Sequence, residues 1–315
     1  MSEGITRREV LRAALASPIV AAASHFAQAQ NNPNQVNQLT RAPGRVVGLD
    51  GAHAKQVQLV RRWRGSFCSS RIVNHGSKPV RVKEVVLFDI PLANPRETKL
   101  YGEGFQMLTQ TGGTLGQPVN YSQYTDAQHY KLPAPADARV FYGMMTLSPP
   151  AVGHQLLAFT SRRRLAGQFY LRDKSLQVVV DTEGLELKPG ESWILEEFTF
   201  RSGSDRDQLL TELTRRLAIN HPPILGKRPP TGWCSWYCFG PRVTARQVLD
   251  NLDFIAKNIP QLKYIQIDDG YQPAMGDWLE TGAEFGGNVQ GVLKQIRARG
   301  FEPAILVNPA LSDKL

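Results

Sequence analysis

From residue 57 to residue 200, apolar and polar positions alternate with a period of two, the rhythm of strands with one dry face and one wet face. The runs 57–63, 66–74, 80–88, 139–147, 154–161, 165–171, 176–181 and 192–200 are each predicted as a strand. Turn chemistry separates them at Asn74-His-Gly76, Glu183-Gly184 and Pro189-Gly190. This pattern predicts an all-β sandwich over 46–203. The stretch 94–135 breaks the rhythm and gathers Tyr101, Tyr121, Tyr124 and Tyr130, so it reads either as a functional aromatic loop or as a loop packed on its own tyrosines.

Near residue 204 the period changes to about 3.6. Ser204 is placed to cap a helix striped by Leu209, Leu213 and Leu217, and a Pro-rich connection follows, so 204–228 reads as a linker. From 229 to 315 strands and helices alternate. A first strand is predicted over 232–239. Thr244-Ala-Arg-Gln247 forms a capping-box pattern ahead of Val248, Leu252, Ile255 and Ile259, and a second strand covers 264–267. Asn288 opens a helix closed by Gly300, and a third strand runs over 303–307. Strand, helix, strand, helix, strand implies a parallel sheet, and such folds place their chemistry at the C-terminal strand ends.

The first 29 residues follow neither rhythm. Twin arginines, Arg7 and Arg8, precede the apolar run 13–23, and Ala27-Gln-Ala29 follows as a small-residue cleavage site. This is the order of a twin-arginine export signal, which predicts a periplasmic or extracellular protein with no membrane span in its mature form. Residues 30–45, rich in Asn, Gln and Pro, read as a flexible lead. Losing residues 1–29 removes three arginines and two glutamates, so the formal charge falls from +9 to +8. The runs Arg61-Arg-Trp-Arg64 and Arg162-Arg-Arg164 lie in strand-like segments without any nucleic-acid motif; they are read as solvated strand faces, and no nucleic-acid partner is expected. The cysteine count of three argues against a disulfide framework. Cys234 and Cys238 read as small buried hydrophobes or as half of a metal pair that nothing in the sequence completes.

The chemistry concentrates late in the chain. Thr231-Gly-Trp-Cys-Ser-Trp-Tyr237 is followed by Lys263-Tyr-Ile-Gln-Ile-Asp-Asp-Gly-Tyr-Gln272 and then Gly276-Asp-Trp278. Asp268 and Asp269 fall where an apolar strand ends, and Trp236 and Trp278 supply indole faces. Carboxylates accept from hydroxyls and indoles stack on the apolar face of a pyranose, which makes this a sugar-site pattern. Neighbouring strand residues face opposite ways, so the two acids can converge on one ligand only if the backbone curls at Gly270.

These motifs resemble the family 36 glycoside hydrolases, the α-galactosidase and raffinose-synthase group, whose order of β-sandwich, linking helix and (β/α)8 barrel also matches. The resemblance is strongest over 229–310; Gly104-Phe-Gln-Met-Leu-Thr109 is similar to a degraded form of a sandwich-loop element of that family, with Leu108 in place of its aromatic. It implies retaining hydrolysis of terminal α-galactosides without a metal or organic cofactor. Asp268 and Asp269 would bind the O4 and O6 hydroxyls of galactose, Trp278 would close over the ring, and Trp236 and Tyr237 would line the pocket. Retaining glycosidases need a nucleophile and an acid/base carboxyl roughly 5–5.5 Å apart. The family draws these from later strands than the three of the barrel's eight expected here. The resemblance therefore assigns no catalytic residue to this chain, places that pair beyond Leu315, and predicts that the 315-residue chain is inactive alone. A truncated product, an incomplete sequence and a three-strand module all remain open, as do galactosyl transfer and a non-catalytic carbohydrate-binding role.

Overall fold

The structure is a computed structural model that describes residues 39–105, 109–122, 126, 132–222 and 229–307. The export signal of 1–29, Gln106, Met107 and Leu108, Tyr124, Tyr130 and the proline connection 223–228 lie outside the described residues. The chain divides into two compact units, residues 1–222 and 223–315.

The first unit is a two-layer β-sandwich. One antiparallel sheet runs in the order β1 (Arg45–Gly48), β4 (Val80–Pro91), β12 (Ser175–Leu187), β11 (Ala166–Leu171), β8 (Arg139–Tyr142). The other runs β13 (Ser192–Ile194), β3 (Phe67–Asn74), β14 (Phe198–Gly203), β10 (His154–Phe159), β9 (Met144–Ser148), β5 (Lys99–Gly102), β6 (Thr111–Thr114), β7 (Gln117–Asn120), with β2 (Val57–Arg64) added along the free side of β3. The inner faces share a core in which Phe88 and Phe169 of the first sheet meet Phe159 and Phe198 of the second, ring centroids 5.4–6.4 Å apart. All four rings are buried, each contributing about 1.5–3 kcal/mol by transfer from water.

Several boundaries differ from the periodicity. The strand expected over 139–147 is two, because the chain passes from one sheet to the other at Gly143, where φ is +71° and the Arg162 guanidinium occupies the space a side chain would need. The strand expected over 192–200 is interrupted at Leu195-Glu-Glu197. Conversely, Glu183-Gly184 does not end its strand: both residues take positive φ and form a bulge inside β12, which resumes pairing with β4 at Leu185. Part of the lead expected to be flexible is anchored, since Leu39 and Ala42 are buried in the sandwich core and β1 begins at Arg45.

Helix α1 (Arg206–Asn220) is capped by Asp205 rather than Ser204; the Asp205 carboxylate accepts from the N–H groups of Asp207 and Gln208. It is no free linker. Leu209 and Leu213 pack on Leu156 and Ala158, on the outer face of β10. Glu197, in the strand break, accepts from Arg216 and Asn220 of this helix and from the Thr160 hydroxyl. Its neighbour Glu196 accepts from the N–H groups of Arg163, Arg164 and Leu165 at 2.9–3.1 Å and from the Ser161 hydroxyl.

The second unit is a parallel three-stranded sheet, β15 (Gly232–Cys234), β16 (Tyr264–Ile267) and β17 (Glu302–Ile305), with β16 central. Helix α3 (Ala245–Asn258) starts with the expected capping box, the Thr244 hydroxyl accepting from the Gln247 N–H and the Gln247 amide oxygen from the Thr244 N–H. It buries Val248, Leu252 and Ile255. Helix α4 (Val289–Ala298), capped by Asn288, buries Val289, Val292 and Ile296, so strands and helices share one core. The first strand is shorter than expected: at Ser235 the chain turns into a one-turn helix, α2 (Trp236–Phe239). Among the described residues no helix is long and apolar enough to cross a membrane.

Candidate functional site

The site is organised around Ser235, which is fully buried where β15 ends. Its N–H donates to the Gln266 carbonyl at 3.1 Å, extending the parallel pairing by one bond, and its hydroxyl accepts from the Asp268 N–H at 2.9 Å. The Ser235 carbonyl accepts from the N–H groups of Cys238 and Phe239, closing α2. One buried serine thus fixes the start of the Trp236–Tyr237 segment against the end of β16.

Asp268 and Asp269 follow that strand directly, and their environments differ. Both Asp268 oxygens are engaged: Oδ1 accepts from the Asp269 N–H at 2.9 Å, and Oδ2 accepts from the Gln266 amide at 2.8 Å and from the Cys234 thiol at 3.4 Å. Asp269 accepts from the Gln272 amide through Oδ1, and among the described residues Oδ2 has no partner. Gln272 also accepts from the Gly270 N–H at 3.1 Å, so one side chain holds the loop and the second acid together. Gly270 supplies the curl, with φ +116°; a Cβ there would lie 2.5 Å from the Pro241 carbonyl oxygen.

Burial raises the Cys234 thiol, a bond from the Trp236 N–H opposes that, and Asp268 raises it further, so the group stays a protonated donor. Tyr271 is likewise raised, by burial first and then by the Asp269 charge, and donates its hydroxyl hydrogen to the Trp278 carbonyl at 3.0 Å. That bond, with the Gly282 N–H donating to the Tyr271 carbonyl at 2.7 Å, closes the loop carrying Gly276-Asp-Trp278 back on itself.

The sequence-predicted residues separate into three kinds of environment. Asp268 and Asp269 sit together at the end of the central strand. Trp236 and Tyr237, one and two residues past Ser235, are 43% and 89% exposed and free to take a ligand on their faces. Trp278 is 7% exposed and belongs to the apolar core of the unit, with its indole N–H buried and unpartnered among the described residues. An orphan donor of this kind costs about 1–3 kcal/mol. Sequence reasoning missed Ser235, Gln266 and Gln272. Gln266 was detectable as the polar interruption of the apolar strand Tyr264-Ile-Gln-Ile267, and Gln272 as an amide three residues beyond an acid. Among the described residues, Cys234 and Cys238 join no group that could hold a metal.

No known family profile matches the chain. Among solved structures it is similar to an α-galactosidase from Thermus thermophilus in complex with stachyose, at 22% identity and a TM-score of 0.44, covering 84% of this chain and 51% of that one. The galactosidase domain of an α-galactosidase–sucrose kinase gives 12% identity and a TM-score of 0.48 over 81% of this chain and 38% of that one. A family 36 α-galactosidase from Geobacillus stearothermophilus gives 13% and 0.43 over 85% and 46%. The chain thus spans about half or less of the length of these proteins.

Proposed function

We propose that the chain carries the galactose-holding portion of a retaining α-galactosidase of the family 36 type: an N-terminal β-sandwich followed by the first strand–helix units of a (β/α)8 barrel. The observation that carries this reading is the asymmetric acid pair at the C-terminal end of β16. Asp268 is held by Ser235, Gln266 and Cys234, while Asp269, clamped by Gln272, keeps one carboxylate oxygen open. An axial hydroxyl donating to a half-buried, pre-aimed acceptor gives stronger discrimination between epimers than apolar contact, because the wrong sugar leaves that acceptor unpaired.

In this reading Asp269 accepts from the galactose hydroxyls directly and Asp268 keeps its neighbour in place. The Trp278 ring, buried in the core of its unit rather than placed to close over a sugar, is assigned a supporting role, and the exposed faces of Trp236 and Tyr237 line the entrance. No residue of this chain is assigned as nucleophile or acid/base. Residues 1–29 are proposed as a twin-arginine export signal, placing the mature protein outside the cytoplasm.

The test is a calorimetric and tryptophan-fluorescence titration of the 315-residue chain with galactose and with glucose, beside an assay of aryl α-galactoside hydrolysis. Galactose is expected to bind and glucose to bind at least about tenfold more weakly, with no aryl release. Equal affinity for the two epimers, or none for galactose, overturns the assignment.

A further inference from the structure

Hairpin β2–β3 sorts its arginines by strand parity. Arg61 points inward, donating to the Ala42 and Leu87 carbonyls at 2.9 and 2.6 Å and lying 4.7 Å from the Phe88 ring centre. Arg62 and Arg64 alternate to the outer face. There Arg62 stands opposite Ser69, Arg64 opposite Phe67, and Arg71 opposite Val60, one diagonal step from Arg62. Successive same-face residues on a strand, and diagonal neighbours across strands, are about 7 Å apart. Arg62 is thus a same-face neighbour of both others, with Arg64 and Arg71 two such steps apart, roughly 14 Å, and all three residues are exposed.

The same outer face, continued across the sheet, is covered by α1. Thr199 of β14 pairs with Phe67, and the Phe67 ring carries the Arg216 guanidinium at 4.6 Å. The acids there are already engaged, Glu197 with Arg216 and Glu212 with Arg201. Beyond that cover, among the described residues, Arg62, Arg64 and Arg71 make no ion pair and no side-chain hydrogen bond. The run 162–164 is used differently: Arg163 donates to the Asn220 carbonyl and Arg164 stacks on Trp193. Like charges along this strip repel, and among the described residues no carboxylate pairs with any of the three.

We propose that the outer face of β2–β3 is a docking surface for an acidic polysaccharide, with Arg62, Arg64 and Arg71 pairing with carboxylates along one glycan chain. Charge complementarity carries the proposal, since a guanidinium fork matches a carboxylate bidentately. The outer-face neighbours Gln58, Val60, Ser69 and Val73 are not aromatic, and the Phe67 ring on this face already carries the Arg216 guanidinium rather than standing open for a base. The choice of a glycan among polyanions rests on the glycosidase reading above. The surface would hold the protein on an acidic glycan matrix independently of the galactose site.

The test measures binding of the 315-residue chain to polygalacturonate at low and at physiological salt, with double-stranded DNA and phosphatidylserine vesicles as competing probes. The triple variant Arg62→Ser/Arg64→Ser/Arg71→Ser is expected to bind polygalacturonate about tenfold or more weakly, with unchanged melting temperature and unchanged galactose affinity. A control with the same loss of charge, Lys174→Ser/Lys188→Ser/Lys294→Ser, should bind like the parent. The proposal is overturned by failure of the parent chain to bind polygalacturonate, by equal weakening in both triples, or by tighter binding to DNA or vesicles. Failure of galactose binding with polygalacturonate binding intact would instead strike only the glycosidase reading.

Discussion

The Ser235 hydroxyl accepts the backbone N–H of Asp268 at 2.9 Å, joining the end of one parallel strand to the acid that ends the next. Because Ser235 is fully buried and also opens the helix bearing Trp236 and Tyr237, the acids and the exposed aromatics inherit their placement from a single residue. Ser235→Ala leaves the part-buried Asp268 N–H without its acceptor and is expected to cost about 1–2 kcal/mol. Urea unfolding measures that loss, and galactose affinity should fall with it.

The two acids should respond differently to the same change. Asp269→Asn removes the open carboxylate and is expected to abolish galactose binding with little effect on melting temperature. Asp268→Asn disturbs the bonds with Gln266, Cys234 and the Asp269 N–H, so it should lower stability by about 1–3 kcal/mol as well as binding. Calorimetry beside thermal unfolding separates the two, and identical behaviour would refute the division of roles.

Gly270→Ala brings a Cβ to within 2.5 Å of the Pro241 carbonyl oxygen at a φ of +116°. The expected outcome is a loss of about 2 kcal/mol or more in stability together with loss of galactose binding, seen by denaturant titration and calorimetry.

Acid should loosen the sandwich through Glu196 and Glu197. Burial works to raise both carboxyls, but it is outweighed. For Glu196 the opposing bonds come from Ser161 and the 163–165 backbone; for Glu197 they come from Arg216, Thr160 and Asn220, and both groups are held below the usual glutamate range. A lowered folded-state value means stability that is present above the unfolded value of about 4.3 and lost as pH falls through the folded one. Melting temperature should therefore drop on acidification below about pH 4, and Glu196→Gln, costing about 2 kcal/mol at pH 7, should flatten that drop.

Alkylation should order the cysteines. Cys238 is exposed, Cys68 is fully buried, and burial raises both the Cys68 and Cys234 thiols. Iodoacetamide at pH 8 is expected to modify Cys238 first, read by peptide mass spectrometry; earlier modification of Cys234 would contradict its contact with Asp268.

What the sequence made legible follows from which forces act locally. The strands 57–64, 67–74 and 264–267 and the helix opened by Thr244 announce themselves because alternation and capping are properties of neighbouring residues. The short strands β5, β6 and β7 lie in a stretch read as a loop, since the Gly-rich run Thr111-Gly-Gly-Thr114 has no apolar rhythm and is held by pairing with distant partners. In the candidate site the acids and indoles stood out as residue types. Their supports did not, because a glutamine or serine becomes a positioning group only through a bond the fold creates. Core packing and ligand contact stood about level for Trp278 for the same reason: an indole in a Gly-Asp-Trp string looks alike whether its ring faces solvent or core.

The crossing of the chain at Gly143 bears on how the sandwich can fail. Tyr142 is hydrogen-bonded in one layer and Met144 in the other, so among the several links by which the chain passes between the sheets this is the tightest, with Gly143 alone between the two strands. A link this short leaves no slack for one sheet to slide over the other at that seam, and the two layers should melt as one cooperative block with no plane along which to peel apart.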